Sequence, residues 1–256
     1  MGESRGTVAA FIAEPLSGAT LGAVAPPDGY LQRVAELCRS TGVLFIADEV
    51  MTGCGRTGRN FAWEHWGEDA APDILVLAKG LTSGYMPLGA VIASKKVVDA
   101  LRNGSGQFTH GFTYNGHPLA CAAGREVIKE IKKQSLVAAA DSRMQANSSG
   151  SLVRRGLESL RQCASVGDVR GLGLLWGVEF VADKHSKAPF PPEQTYAARV
   201  ASECVKHGVM VYPMQGCVDG KAGDHLLLAP PATIKDSEIE EAVSVLRTAI
   251  TVVERA

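Results

Sequence analysis

Short apolar runs separated by helical or glycine-containing segments constrain the fold more than any other feature of this chain. The runs are TVAAFIAE at 7–14, VLFIAD at 43–48, ILVLA at 74–78 and LGAVIA at 88–93. The run at 74–78 is too short and too rich in β-branched residues for a helix, and all four are typical of buried strands. This order predicts an α/β fold with a parallel or mixed sheet that is covered on both sides.

A helix is predicted between the first two runs, where apolar residues recur at helical spacing from residue 28 to 41. Asp28 is a candidate N-cap, and Gly42 is a candidate C-terminal stop. Further helices are predicted at 118–133 and at 135–161, the latter as one helix or two with a candidate break at the SSG of 148–150. The texture then changes to that of a smaller α+β domain, with predicted strands at 174–181, 209–212 and 225–229 and predicted helices at 193–207 and 235–254. We expect a partial large domain at 1–155 and a smaller domain at 156–256.

Charge and cysteine content exclude several classes of function. The net charge is −1, so the chain offers no broad basic field for nucleic acid. No apolar stretch approaches the length of a membrane span, and the six cysteines are scattered without a CxxC pair. His110, His117 and His225 lack the spacing of metal ligands, so no metal site is predicted. We expect a cytoplasmic protein with reduced thiols.

Two charged residues stand where buried strands are predicted to end. Asp48 closes the run at 43–48 and is followed by Glu49, and Lys79 directly follows the run at 74–78. Ligands bind at the carboxyl ends of strands in open α/β sheets. A lysine amine can form a Schiff base with an aldehyde cofactor such as pyridoxal phosphate, and a carboxylate can keep the pyridine nitrogen protonated. The alternatives are a buried ion pair between Asp48 and Lys79, or a lysine that reaches solvent at its strand end.

The segment GCGRTG at 53–58 matches the dinucleotide-binding pattern G-x-G-x-x-G letter by letter. That motif requires its glycines to follow a strand directly and to open a helix. Here residues 48–52 intervene, and RNFAWEHWG after the motif carries no clear helical stripe. We interpret the segment as a glycine-rich loop near a site.

These motifs together carry a resemblance to a known family. Residues 45–84, with FIADEVMTGCGRTG and DILVLAKGLTSG, resemble the signature of the class III aminotransferases, which are fold-type I pyridoxal-phosphate enzymes. Further landmarks follow in the family's order: AEP at 13–15, HGFTYNGHPLACAA at 110–123, RGLGLLWGVEF at 170–180 and LLLAPP at 226–231. The resemblance implies an aminotransferase that moves an amino group from an amine or amino acid to a 2-oxo acid or aldehyde by a ping-pong mechanism.

The resemblance also implies roles for individual residues. Lys79 forms the Schiff base with the cofactor and shuttles the substrate proton, and Asp48 pairs with the pyridinium nitrogen. Val50 packs on one face of the cofactor ring. Thr113 hydrogen-bonds the cofactor phosphate from the neighbouring subunit, so a homodimer is expected.

The chain departs from the family pattern at the substrate. Ornithine- and GABA-type members carry an arginine and a glutamate at the positions of Leu227 and Ala19, respectively. The pattern resembles ω-amine:pyruvate-type members more closely, and the cations considered for substrate carboxylate are Arg170 and Lys221. Arg170 could equally be structural, and Lys221 a solvated surface residue.

The resemblance covers the C-terminal part of the family pattern. The N-terminal part, which supplies a phosphate-cradling loop and a ring-stacking aromatic residue, is absent from this sequence. We therefore expect an uncovered apolar face on the sheet. The alternatives to an aminotransferase are a truncated, non-catalytic homologue acting as a binding partner, and another pyridoxal-phosphate reaction (racemase, aminomutase or decarboxylase).

Overall fold

A computed structural model describes residues 6–141 and 148–256 of the chain. Within these residues the chain divides into two compact units. The first unit comprises the residues up to Pro15, Pro26–Gly55 and Arg59–Ser135, and the second comprises Leu16–Ala25, Arg56–Gly58 and the described part of Leu136–Ala256. The domain limit predicted at residue 155 falls inside the helix Ser149–Glu158 and stays a prediction.

The first unit is built on a four-stranded sheet whose strands follow chain order. The strands are β1 (Ala10–Ala13), β2 (Leu44–Asp48), β3 (Ile74–Leu77) and β4 (Ala90–Ala93). Strands β1, β2 and β3 pair in parallel, and β4 pairs with β3 in antiparallel orientation. Helix α1 (Tyr30–Thr41) connects β1 to β2, and α2 (Lys95–Asn103) and α3 (Pro118–Lys133) follow the sheet. The predicted α/β class with a mixed sheet is confirmed.

Helix α1 ends as predicted but begins differently. Gly42 adopts the left-handed conformation at the C-terminus, and its N–H donates to the carbonyl of Cys38. At the other end the cap is the left-handed Gly29, so the predicted cap by Asp28 is wrong. The apolar face of α1 packs with β2 in a small core of six buried residues: Leu31, Ala35, Cys38, Val43, Phe45 and Ala70.

The sheet of the first unit is less covered than its apolar runs predict. Ile12 on β1 is 58% exposed, and Val91 on β4 is 69% exposed. In β3 only Leu77 is fully buried, so the prediction of a strand buried on both faces is wrong for residues 74–76. Among the described residues, part of the apolar sheet surface therefore faces solvent, as the incomplete family pattern predicts.

The second unit is built on a separate four-stranded antiparallel sheet in the order β5-β6-β8-β7. Its strands are β5 (Val166–Leu172), β6 (Leu175–Phe180), β7 (Tyr212–Gln215) and β8 (Asp224–Leu228). The helices are α4 (Leu136–Ala140), α5 (Ser149–Glu158), α6 (Tyr196–Lys206) and α7 (Asp236–Glu254). Side chains of α5, α6 and α7 form one large core with the sheet.

The structure refines the sequence-based picture of the second unit at three places. Strand β5 was not predicted, because its glycines, aspartate and arginine interrupt the apolar pattern. The strand expected at 209–212 lies at 212–215. The described part of 135–161 contains two α-helices, α4 and α5, and Ser148 is the N-cap of α5, its side chain accepting from the Ser151 N–H, so the candidate break falls at Ser148 while Ser149 and Gly150 are helical.

No helix within residues 6–141 and 148–256 combines the length and the apolar character that crossing a bilayer requires.

Candidate active site

The register of the first sheet brings Asp48 and Lys79 to the same edge. Strands β2 and β3 are parallel neighbours, and Asp48 pairs with Val76. Lys79 follows the end of β3 by two residues. Both side chains therefore belong to the carboxyl edge of the sheet, the edge at which α/β folds bind ligands.

Lys79 presents a free amine from an unusual backbone conformation. It is the first residue of a 3₁₀ turn, Lys79–Leu81, and its φ is 39°. A non-glycine residue in this region pays about 1 kcal/mol of strain, and such strain is concentrated at functional sites. The side chain is exposed. Within the part of the chain that the structure describes, its amine makes no hydrogen bond or ion pair, so the predicted alternative of a buried pair with Asp48 is not formed.

Asp48 is half-buried, and its carboxylate is fixed locally. Its Oδ1 atom accepts a hydrogen bond from the N–H of Val50 at 3.0 Å, which leaves Oδ2 for another donor. Val50 is itself half-buried. A free primary amine and a carboxylate at one sheet edge fit the aldehyde and the ring nitrogen of pyridoxal phosphate, respectively.

Glu49 is the residue of this site that sequence reasoning left without a role. It is 1% exposed. Its Oε2 accepts hydrogen bonds from the Thr52 hydroxyl at 2.5 Å and from the Ala62 N–H at 2.9 Å, and its Oε1 accepts from the Trp63 N–H at 2.9 Å. Burial raises the pKa of the Glu49 carboxyl group, and these three hydrogen bonds act in the opposite direction.

The glycine-rich segment at 53–58 is a series of turns, as predicted. The next helical element is a short 3₁₀ helix at Ala62–Trp66, so the glycines open no helix and the dinucleotide pattern lacks its structural context. Arg56 of this segment lies within the second unit. One of its guanidinium nitrogens donates to the carbonyl oxygens of Leu174 and Pro230, and burial lowers the pKa of the guanidinium.

Thr113 is also in the first unit, in a turn between α2 and α3. It is exposed, and so are its neighbours Phe112 (69%) and Tyr114 (71%). Among the residues described, no hydrogen bond involves its hydroxyl group. Its predicted contact with a cofactor phosphate in a second subunit stays a prediction.

The two cations considered for substrate binding belong to the second unit. The Nε and Nη2 atoms of Arg170 donate to the carbonyls of Gly22 at 2.9 Å and Leu21 at 2.6 Å. Its Nη1 contacts the carboxylates of Asp168, at 3.2 Å, and Glu179. With every guanidinium nitrogen engaged, the contacts favour the structural alternative, and the substrate role stays a prediction.

Lys221 lies in the loop between β7 and β8 and is exposed. Only its backbone is fixed, by a hydrogen bond from its N–H to the Asp219 carboxylate at 2.9 Å. No group of three or more histidine, cysteine, aspartate or glutamate residues with the arrangement of a metal site occurs in 6–141 or 148–256.

The family model of the class III aminotransferases matches residues 2–250. The chain belongs to this family. It is 44% identical over 249 residues to the uncharacterized aminotransferase YodT of Bacillus subtilis, an alignment that covers 97% of this chain and 54% of the relative. It is 39% identical over 240 residues to the chloroplastic gamma aminobutyrate transaminase 3 of Solanum lycopersicum, covering 93% of this chain and 43% of the relative.

Solved structures of transaminases share the fold. A transaminase from the marine bacterium Virgibacillus superposes with a TM-score of 0.89 at 38% identity, covering 99% of this chain and 55% of that one. An amine transaminase from an uncultivated Pseudomonas species, in its pyridoxal-phosphate-bound form, gives a TM-score of 0.84 at 39% identity, covering 96% and 52%. The class III aminotransferase chain described here therefore spans about half the length of the relatives it matches.

Ala19 and Leu227, the positions that differ from ornithine- and GABA-type members, both lie in the second unit. Leu227 is a buried residue of β8. The carbonyl oxygen of Ala19 lies 2.8 Å from Nε2 of His225, which is fully buried. Because a carbonyl only accepts, Nε2 carries the proton. The Nδ1 atom of His225 is buried and has no partner among the described residues.

The buried His225 gives this member of the class III aminotransferase family a predicted pH dependence of stability. Burial lowers the pKa of the ring, helped by the charge of Arg170, while the hydrogen bond to Ala19 and the carboxylates of Glu179 and Asp224 oppose this. The unfolded chain therefore binds a proton near pH 6.5, before the folded protein does. We expect the free energy of unfolding to fall as the pH drops below about 6.5, by up to ~1.4 kcal/mol per pH unit.

Urea unfolding at several pH values between 5 and 8 measures the slope of the unfolding free energy against pH, which should correspond to the uptake of about one proton on unfolding. In His225→Gln the fall between pH 6.5 and 5 should become shallower than in the unsubstituted protein. His110→Gln, at an exposed histidine, is the matched control and should keep the original slope. An equally steep fall in His225→Gln contradicts the assignment.

Proposed function

We propose that this chain provides the cofactor-lysine part of a pyridoxal-phosphate-dependent aminotransferase. The observation that carries the proposal is the placement of Asp48 and Lys79 after neighbouring parallel strands, β2 and β3, at one edge of the first sheet. Membership in the class III family supports the same chemistry. A similar solved transaminase was captured with pyridoxal phosphate bound, which supports the cofactor.

Each of the first-unit residues has a distinct task in this proposal. Pyridoxal phosphate supplies an aldehyde and a protonated ring that withdraws electrons from the substrate carbon. Lys79 would hold the cofactor through Nζ, and its amine, once freed by an amino substrate, would carry the proton that leaves the substrate carbon. Asp48 would hold a proton on the ring nitrogen through Oδ2, the oxygen that the Val50 N–H leaves free. Val50 gives the ring a stiff, β-branched wall.

We propose a primary amine or amino acid as donor and a 2-oxo acid or aldehyde as acceptor, used in a ping-pong sequence. Relatives described as gamma aminobutyrate transaminase and as amine transaminase both support donors with a terminal amine. Ala19 and Leu227 carry no charge that could bind or release a substrate carboxylate. The chain therefore resembles the ω-amine:pyruvate-type members more closely than the ornithine- and GABA-type members. Lys221 stays a candidate for the acceptor carboxylate.

A second copy of the protein is part of the proposal. Thr113 would reach the cofactor phosphate of the partner subunit, and its position between the exposed Phe112 and Tyr114 supports an interface there, since exposed apolar clusters mark contact surfaces. We also propose a cytoplasmic location, in keeping with six free cysteines.

Reductive trapping tests the cofactor lysine directly. The protein is titrated with pyridoxal phosphate, reduced with borohydride and digested, and the labelled peptide is mapped. We expect one stable label, on Lys79, because its amine is exposed and unpaired at the proposed site, and we expect Lys79→Ala to lose that label. Lys95→Ala, which removes a lysine side chain that is 86% exposed and paired with Asp99, is the control and should keep the label on Lys79.

A label that is spread evenly over the surface lysines, or a Lys79 peptide without any label, would count against the proposal. A separate sample, loaded with pyridoxal phosphate but not reduced, is incubated with an amine donor with and without a 2-oxo acid. A new amino acid that forms only with the oxo acid identifies amino transfer, whereas conversion of the donor without any acceptor indicates a racemase, aminomutase or decarboxylase.

A further inference from the structure

The backbone of Glu49 links the ends of strands β2 and β3. Its N–H donates to the carbonyl of Val76 at 2.9 Å, which extends the pairing of the strands by one residue. Its own carbonyl accepts from the N–H of Gly53 at 2.9 Å, which closes one helical turn. Residues 49–55 thus form a compact turn, named here the 49–55 turn, directly after Asp48.

The 49–55 turn contacts residues that precede and follow Lys79 in the sequence. A Cβ atom added to Gly53 would lie 2.8 Å from Cδ2 of Leu77, so the turn and the end of β3 are in direct contact. A Cβ added to Gly80 would lie 3.3 Å from Cβ of Cys54. The residues two before and one after Lys79 therefore rest against the turn that begins next to Asp48.

The Glu49 side chain ties this turn to the Ala62–Trp66 helix. Its carboxylate gathers three donors, two of them backbone N–H groups at the start of the Ala62–Trp66 helix. A carboxylate accepts on both oxygens, whereas an amide presents one acceptor and one donor. An amide at this position would therefore set an NH₂ group against a buried N–H donor, which costs the desolvation of both.

We propose that Glu49 is a positioning residue that, by anchoring the 49–55 turn, fixes Asp48 and Lys79 relative to each other. The inference rests on the proposed function, because it assigns Glu49 a purpose in holding the two cofactor residues. Glu49 itself touches no reacting atom, since its carboxylate faces the interior. Its effect on the cofactor passes through the turn.

Amide hydrogen exchange of the cofactor-free protein tests the mechanical part of the inference. In Glu49→Gln we expect peptides covering 78–84 to exchange at least about tenfold faster than in the unsubstituted protein, because the turn no longer supports Gly80. Thr52→Val, which removes one of the three donors, should act in the same direction more weakly and covers the case in which Glu49→Gln does not fold.

Asp73→Asn is the matched control. Asp73 is a carboxylate of the same sheet, accepting from the Phe45 N–H at 3.0 Å and pairing with Lys96 at 3.2 Å, but it precedes β3 and lies at the opposite edge. Its replacement should destabilise the sheet and leave exchange at 78–84 within about twofold of the original. Equal acceleration in both variants, or none in Glu49→Gln and Thr52→Val, overturns the inference.

The cofactor readout separates this inference from the proposed function. In Glu49→Gln we expect the dissociation constant for pyridoxal phosphate to rise at least about tenfold. We also expect a shift in the pH at which the visible absorbance of the bound cofactor changes. Asp73→Asn should cause neither effect. If the unsubstituted protein takes up no pyridoxal phosphate on Lys79, the proposed function fails, and the exchange comparison still decides the role of Glu49. Specific labelling together with unchanged cofactor affinity in Glu49→Gln overturns the inference alone.

Discussion

Asp48→Asn is expected to slow amino transfer by the cofactor-loaded protein by about 10²–10³-fold, the loss that follows removal of one preorganised electrostatic group from an active site. The amide matches the carboxylate in size and can still accept the Val50 N–H at its oxygen. It cannot hold a proton on the ring nitrogen, because its remaining atom is a donor. The ring would then withdraw fewer electrons from the substrate carbon. Steady-state kinetics with saturating donor and acceptor measure the effect.

The loss should fall on kcat, with a smaller change in cofactor affinity. Asp48→Glu retains the charge and should therefore recover part of the rate. The recovery should be incomplete, because the longer side chain places its carboxylate less favourably for the ring nitrogen. Asp99→Asn, which changes a carboxylate on α2 that pairs with Lys95, is the control and should leave kcat within about twofold. An Asp48→Asn protein with the original kcat would show that Asp48 does not face the cofactor ring.

The placement of Asp48 and Lys79 could be predicted from the sequence because it follows from local signals. Short apolar runs indicate strands, and a residue that directly follows such a run lies at the carboxyl edge of the sheet. The run at 74–78 and the run at 43–48 both became strands, and their parallel pairing put Asp48 and Lys79 at one edge. No longer-range information was needed.

Long-range contacts explain what could not be predicted. Glu49 follows Asp48 in the chain and carries the same charge, and only the fold shows that its side chain points inward to the Ala62–Trp66 helix. Strand β5 could not be predicted because its own apolar pattern is weak, and its pairing with β6 stabilises the extended conformation. The partners of Arg170 at Leu21 and Gly22 lie almost 150 residues away in the chain, so no spacing rule connects them.

Arg170→Met is expected to lower the free energy of unfolding by about 2–4 kcal/mol, somewhat below the cost of breaking a fully buried pair because the arginine side chain is 18% exposed. The change strips the Leu21 and Gly22 carbonyls of their donors and leaves the half-buried Glu179 carboxylate without its cation. Methionine keeps most of the side-chain volume, so packing contributes little to the loss. Urea unfolding measures the change.

The comparison with a surface arginine separates the two roles considered for Arg170. Arg154→Met replaces an arginine whose side chain is 45% exposed and pairs with Glu158 at 3.5 Å, and it should lower the free energy of unfolding by no more than about 0.5 kcal/mol. In Arg170→Met a structural role predicts lost stability together with faster amide exchange in residues 17–24, because the Leu21 and Gly22 backbone loses its anchor. A carboxylate-binding role predicts instead a stable protein with a raised KM for the 2-oxo acid. Since the guanidinium already makes four interactions within the second unit, we expect the first result.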